Sequence, residues 1–270
     1  MFTNNDHTFV ICAYKESRFL EDCIQSLKHQ SVKSEILICT STPNGYIQKL
    51  ADKYSIEIRI NEGGFKHGSD IAKDWNFALS QCRTSLATIA HQDDVYKKEY
   101  VEKVIDAFNN CSYPLIAFSD YSEIKNGLEV KENKLLKIKR FLLTPLKNKK
   151  NWSSISKRRK CLSFGNPICC PAVSYCLDNI QQPLFKSGFK SDLDWEAWEA
   201  LSKLSGEFAY ISEILMSHRI HEESTTTAVI AGKSGRSLED YEMFCKFWPK
   251  WVSRMIEHFY KESEKQNGNE

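Results

Sequence analysis

No stretch of this 270-residue chain approaches the run of about 18 apolar residues that a membrane-spanning helix needs. The polar segment from Met1 to His7 has no apolar core, which excludes a signal peptide as the reading of these residues. There is no CxxC pair. The ten cysteines follow no regular frame, and Cys12, Cys23, Cys39 and Cys82 sit in apolar runs where Cys acts as a small hydrophobe. Free thiols in a reducing cytoplasm are therefore expected. A net charge of +2 does not by itself call for nucleic acid or another polyanion. No GxGxxG follows the first strand-like run, so the dinucleotide fingerprint is missing. The only Gly-Lys-Ser, at Gly232-Lys233-Ser234, has Thr227 where a P-loop requires glycine, and it lies late in the chain. What remains, at 41% hydrophobic and 27% charged residues, is an ordinary soluble globular composition.

The pattern that is present alternates. Strand-like runs at Thr8–Cys12, Glu35–Cys39, Ile56–Ile60, Leu86–Ala90 and Leu115–Ser119 are separated by segments with helical spacing: Leu20, Cys23, Ile24, Leu27; then about Tyr46 to Lys53; then Ile71, Trp75, Ala78, Leu79, Cys82; then Val101, Val104, Ile105, Phe108. Ser17 and Ser69 are candidate caps. Such alternation predicts an α/β fold, a mostly parallel sheet with helices on both faces. Later come a loop at Phe164–Pro171, a helix opening at Asp192 with Trp195, Trp198, Leu201 and Leu204 as its packing stripe, and a last strand at Ile211–Met216. Leu238–Tyr260 is an aromatic and basic helical segment in which Pro249 predicts a kink or a division into two helices.

The Leu86–Ala90 run leads through His91-Gln92 to two adjacent carboxylates, Asp93 and Asp94. Paired acids at the carboxyl end of a buried strand repel each other unless a cation sits between them, and that end of an α/β sheet is where ligands bind. The alternative is a solvated turn. Between Lys131 and Lys160 there are twelve Lys or Arg residues and one acid, Glu132. A solvated face is the simplest reading; an anionic acceptor or the anionic surface of a membrane is the other.

Four segments in order carry a resemblance to family 2 glycosyltransferases of the GT-A (Rossmann-like) fold. Ala13-Tyr14-Lys15-Glu16 is similar to the family's Pro-x-Tyr-Asn-Glu opening. Gln92-Asp93-Asp94 is similar to its Asp-x-Asp metal motif, Leu193-Asp194-Trp195-Glu196 to its Glu-Asp catalytic motif, and Arg219-Ile220-His221-Glu222-Glu223-Ser224 to its late Arg-x-His loop. The resemblance implies an inverting transfer from a nucleotide-sugar, a UDP-sugar before others, to a glycan or lipid-linked hydroxyl, with Mn²⁺ or Mg²⁺. It implies Asp94 as the direct metal ligand, His221 as a further ligand or a diphosphate hydrogen-bond donor, and Asp93 at the donor sugar or ribose. Asp194 becomes the general base, with Asp192 as the alternative. Ala13, Tyr14, Glu16, Thr40, Ser41 and Asp74 fall to the donor nucleotide, and Arg219 and Ser224 to its diphosphate. Residues 1–227 would form the transferase domain, 1–120 holding nucleotide and 121–227 the acceptor, with 228–270 as a helical extension. The family's Asp-Asp-Gly-Ser after the second strand is replaced by Cys39-Thr40-Ser41-Thr42, which has no acid and weakens the inference of uridine. A nucleotidyltransferase of related fold and a catalytically silent binding module remain the competing readings.

Overall fold

The computed structural model describes residues 1–67, 70–186, 188–221 and 235–267. Strands β1 (His7–Ala13), β2 (Glu35–Thr40), β3 (Glu57–Ile60) and β4 (Leu86–His91) form a parallel half-sheet in the order β3-β2-β1-β4. Helices α1 (Leu20–Lys28), α2 (Gly45–Tyr54), α3 (Glu62–His67) and α4 (Ile71–Gln81) connect them. The expected stripe of α1, Leu20, Cys23, Ile24 and Leu27, is fully buried, while that of α4 buries Ala78 and Leu79 and leaves Ile71, Trp75 and Cys82 partly exposed. One cap differs from expectation. The Ser17 hydroxyl accepts from Phe19 N–H before α1 begins, and the helix itself starts without a side-chain cap. Ser69 lies outside the described residues, and Asp70 caps α4, accepting from Lys73 N–H. A carboxylate at this end also favours the helix dipole.

The sheet continues through β8 (Val173–Cys176), β6 (Pro114–Lys125), β9 (Glu207–Ile220) and β5 (Val95–Tyr96), with β7 (Leu128–Val130) paired to β6. β8 runs antiparallel to both β4 and β6, so β6 points the same way as β4, and β9 is parallel to β6. The sheet is thus mostly parallel, with β5, β7 and β8 reversed. Helix α5 (Tyr100–Asn109) packs on β6 and β9, while α6 (Lys134–Leu142) and α7 (Ile155–Leu162) carry the basic segment. Helix α8 (Leu193–Ser202) buries Trp195, Trp198 and Leu201. Leu204 was expected on the same stripe, but α8 ends before it and the side chain is exposed.

The C-terminal segment forms two helices, α9 (Gly235–Cys245) and α10 (Lys250–Asn267), separated at Pro249. They dock on the body of the protein. Phe244 and Phe247 pack on the Trp195 ring, and Trp248 donates its indole N–H to Ser163 O at 2.7 Å. Only part of the apolar face is used: Trp251, Met255 and Phe259 are exposed. Among the described residues no helix is long and apolar enough to cross a membrane.

One core group makes stability depend on pH. His7 is fully buried at the start of β1, with Nδ1 2.6 Å from Ser34 Oγ and Nε2 2.8 Å from Thr88 Oγ1. Burial lowers its pKa from 6.5 to about 3. Between those values the unfolded chain binds a proton at this site and the folded chain does not, so stability rises with pH across the window. Unfolding measured from pH 7 down to 4 should show a loss approaching about 1.4 kcal/mol per pH unit from this group. His7→Gln should show a shallower loss.

Candidate active site

The carboxyl ends of β1, β2 and β4 open on a cavity of about 860 Å³, a size that holds a ligand larger than a single sugar. Two loops form its floor. Lys15, in the left-handed region at φ 55°, donates its N–H to Thr42 Oγ1 at 2.5 Å. Gln92, in the turn after β4, clamps the loop after β1 as well: its amide accepts from Tyr14 N–H and donates to Tyr14 O, both at 3.0 Å. Gln92 stands where the resemblance gives no reason for it, and this reciprocal pair is its role. Ala13, Tyr14, Thr40 and Ser41 all line the cavity. Glu16, grouped with them from the sequence, is exposed and is not among the lining residues.

The segment without an acid after β2 meets one from elsewhere. Asp74 of α4 accepts from Ser41 Oγ at 2.9 Å and from Asn61 Nδ2 at 2.8 Å. Burial raises its pKa, and those two bonds partly offset the rise. The backbone closes directly over the group. A Cβ at Gly64 would lie 2.8 Å from Ser41 Cβ and 3.0 Å from Asp74 Oδ1, so only glycine fits there.

The acidic turn after β4 splits its two carboxylates. Asp94 is fully buried; its Oδ1 accepts from Arg219 N–H at 2.8 Å and lies 3.1 Å from His218 Nδ1. Burial alone would lower the pKa of His218, but Asp94 beside it outweighs that and raises it. Asp93 lines the cavity and Asp94 does not. The Asp93 Oδ2 atom is 2.8 Å from His221 Nε2. Arg219, expected at a diphosphate, is turned to structural work. Its Nε donates to Asp93 O at 2.8 Å, its NH2 nitrogen pairs with Asp22 at 3.2 Å, and its guanidinium lies 4.3 Å above the Phe19 ring. Ser224 falls outside the described residues.

His91, Asp93 and Asp94 bring ligand atoms within 4.8 Å of one another. His91 Nε2 and Asp94 Oδ2 are buried without a hydrogen-bond partner among the described residues. Two buried acceptor-capable atoms with nothing to accept from are costly, and a cation removes that cost. The donor set therefore fits a divalent ion. Carboxylate with imidazole suits Mn²⁺ better than the all-oxygen preference of Mg²⁺. The Trp75 ring stacks on His91 at 5.3 Å and fixes its plane.

Asp194, in the first turn of α8, lines the same cavity. Oδ1 accepts from Trp195 N–H and Oδ2 from Asn166 Nδ2, each at 2.8 Å. Burial raises its pKa above 3.8, and these bonds restrain the rise. Asp192 lines the same cavity. The loop that carries Asp192 and leads into α8 is tied to α9. Glu239 accepts from Lys190 N–H at 2.9 Å, Ser191 N–H at 2.8 Å and Asp192 N–H at 3.3 Å. The C-terminal helices thus hold the loop that positions Asp194, and Tyr260 of α10 itself lines the cavity.

With the parallel half-sheet, the acidic turn and Asp194 in place, the comparisons with known proteins become decisive. Residues 8–171 match the model of glycosyl transferase family 2. The chain belongs to that family. This family 2 glycosyltransferase has the fold of S. aureus TarS 1-349: 12% identity, 93% of this chain against 69% of that one, TM-score 0.61. TarS 1-349 has also been seen with UDP-GlcNAc. Mycobacterium tuberculosis glucosyl-3-phosphoglycerate synthase, in complex with Mn²⁺, uridine-diphosphate and phosphoglyceric acid, aligns at 10% identity over 91% of this chain and 80% of that one, TM-score 0.60. At such identities the likeness is one of fold. No curated protein matches the chain in sequence.

Proposed function

We propose that this family 2 glycosyltransferase transfers a sugar, with inversion, from a UDP-sugar to a hydroxyl of a glycan or lipid-linked acceptor, using Mn²⁺ or Mg²⁺. Its setting is cell-surface polysaccharide synthesis in the cytoplasm or at the inner face of the membrane. The observation that carries the reading is that Asp93 and Asp194 line one cavity, which also takes in the ends of β1 and β2. The solved relatives with UDP-GlcNAc, and with UDP and Mn²⁺, support it.

The nucleoside occupies the β1 and β2 ends, against Ala13, Tyr14, Thr40 and Ser41. Asp74, held by Ser41 and Asn61, supplies there the carboxylate that the 40–42 loop lacks. Asp93 and Asp94 hold the ion, and we give the leading place to Asp93. Asp93 faces the cavity, whereas Asp94 spends one oxygen on the Arg219 backbone and His218. His221 orients Asp93 through their 2.8 Å contact. When bound, the ion neutralises charge on the departing diphosphate. Asp194 removes the acceptor proton. Its burial raises its affinity for that proton, and Asn166 and Trp195 N–H hold it in one orientation. Attack by the acceptor oxygen in a single displacement, with Asp194 as its base, inverts the anomeric centre.

The test is a thermal-shift screen of UDP, GDP, CDP and ADP, each with Mn²⁺. UDP should stabilise the chain most, by about 2–4 kcal/mol at 100–1,000 times Kd. Equal shifts for all four would remove uridine, and no shift with any would remove the transferase reading.

A further inference from the structure

The basic segment and the acceptor half of the cavity meet at one residue. Lys139 of α6 lies in the cavity wall, where its Nζ donates to Tyr121 Oη at 2.9 Å. It makes no ion pair among the described residues. Its neighbour Arg140 behaves differently, pairing with Asp120 at 2.6 Å and with Tyr121 O at 3.0 Å. Arg140 is therefore a structural cation, whereas Lys139 faces the cavity with a neutral phenol as its hydrogen-bond partner, and its charge partly offsets the rise that burial causes in the pKa of Asp194 in the same wall. Lys190, on the rim four residues before Asp194, lines the same cavity and likewise makes no ion pair. An ammonium carries three donors, and the Tyr121 phenol takes one of them, so the group can bind an anion entering the cavity. The Tyr121 phenol, whose pKa burial raises to about 12, keeps its own proton and can donate it to the same ligand.

The position separates this pair from the donor. The nucleotide end of the cavity is built on β1 and β2, and the acidic turn follows β4. Tyr121 lies on β6, beyond β4 and β8 in the sheet order. Lys139 and Lys190 share the cavity wall with Asp194. Outside the cavity, Lys134, Lys137, Lys157 and Lys160 of α6 and α7 are exposed. Such a like-signed surface raises the local concentration of anions.

We propose that the acceptor carries a phosphate or carboxylate group close to the hydroxyl that is glycosylated, and that Lys139, with Tyr121 and Lys190, binds it. The inference rests on the transferase reading above, because that reading defines the acceptor side. Lys139 is a specificity-determining residue, and Asp194 remains the base.

The test titrates inorganic phosphate calorimetrically into the full chain saturated with UDP and Mg²⁺, at constant ionic strength. The wild type should bind phosphate. Lys139→Gln should bind it about 10–100-fold more weakly, as loss of a charge-assisted hydrogen bond implies, with UDP affinity within about two-fold. Lys139→Arg should recover part of the phosphate affinity. Lys190→Gln, at an exposed site that leaves folding intact, should weaken phosphate about three-fold through loss of a rim charge. If Lys139→Gln does not fold, Lys190→Gln and Lys139→Arg carry the comparison. No phosphate binding by the wild type, or equal affinity in wild type and variants, overturns the proposal. A loss of UDP affinity instead of phosphate affinity also overturns it, assigning Lys139 to the donor diphosphate. Failure of the wild type to bind UDP is a separate result that falls on the transferase reading.

Discussion

Asp194→Asn should lower the rate of sugar transfer about 10²–10⁴-fold, the contribution expected of a positioned general base. UDP affinity should stay within about two-fold. The substitution keeps the volume and one acceptor oxygen, so the bond from Trp195 N–H at 2.8 Å survives while the ability to take a proton is lost. Steady-state rates and calorimetric UDP binding, measured on the same protein, separate the two effects. A loss confined to UDP affinity would make Asp194 a binding residue. The pH profile gives an independent sign. Only the ionised carboxylate is a base, so the rate rises with pH through its pKa. Because burial raises that pKa above 3.8, the acidic limb of kcat should lie above the ordinary aspartate range. Asp192→Asn, tested in parallel, should retain the limb; if it abolishes transfer while Asp194→Asn does not, the base is Asp192.

Asp93→Asn should reduce transfer about 10²–10³-fold and shift the Mn²⁺ dependence to higher concentration, since metal neutralisation of a leaving diphosphate contributes several kcal/mol. The chain should remain folded, because Asp93 stands on the cavity wall with His221 as its side-chain contact. Asp94→Asn should differ in kind. Asp94 is fully buried and joins the β4 turn to β9 through Arg219 N–H, so thermal stability as well as activity should fall, by about 1–3 kcal/mol. Melting curves and Mn²⁺ titrations of the two variants distinguish the roles. A stable Asp94→Asn chain with no metal response, beside a fully active Asp93→Asn chain, would return the direct ligand to Asp94.

Much of this was legible in the residues, for physical reasons that differ by element. Most of the β1–β4 half was readable because α1, like α5 after it, carries a buried stripe at helical spacing, β1, β2 and β4 carry apolar runs, and β3 alternates. β8 was not. Val173–Cys176 is only four residues long and buried throughout, so it shows neither length nor alternation, and its reversed direction is set by partners on β4 and β6. The acidic turn could be located but not resolved. Which of two adjacent carboxylates faces the cavity depends on Arg219 N–H, 125 residues away. The same distance hid the role of Arg219 itself, which reads as an anion binder until Asp22, Asp93 and Phe19 are seen around it. Asp74 could be suspected from its helix position, but its pairing with Ser41 joins segments that no local pattern connects. Lys139 is indistinguishable in sequence from its solvated neighbours; Tyr121, 18 residues earlier, makes it different.

The central claim is that the cavity holds a uridine diphosphate through a divalent ion on the acidic turn. The most direct measurement is calorimetric titration of UDP into the full chain with Mn²⁺ present, repeated after chelation. Binding that is clear with Mn²⁺ and at least about ten-fold weaker without it is the predicted result. Equal binding in both conditions, or none in either, would contradict the account.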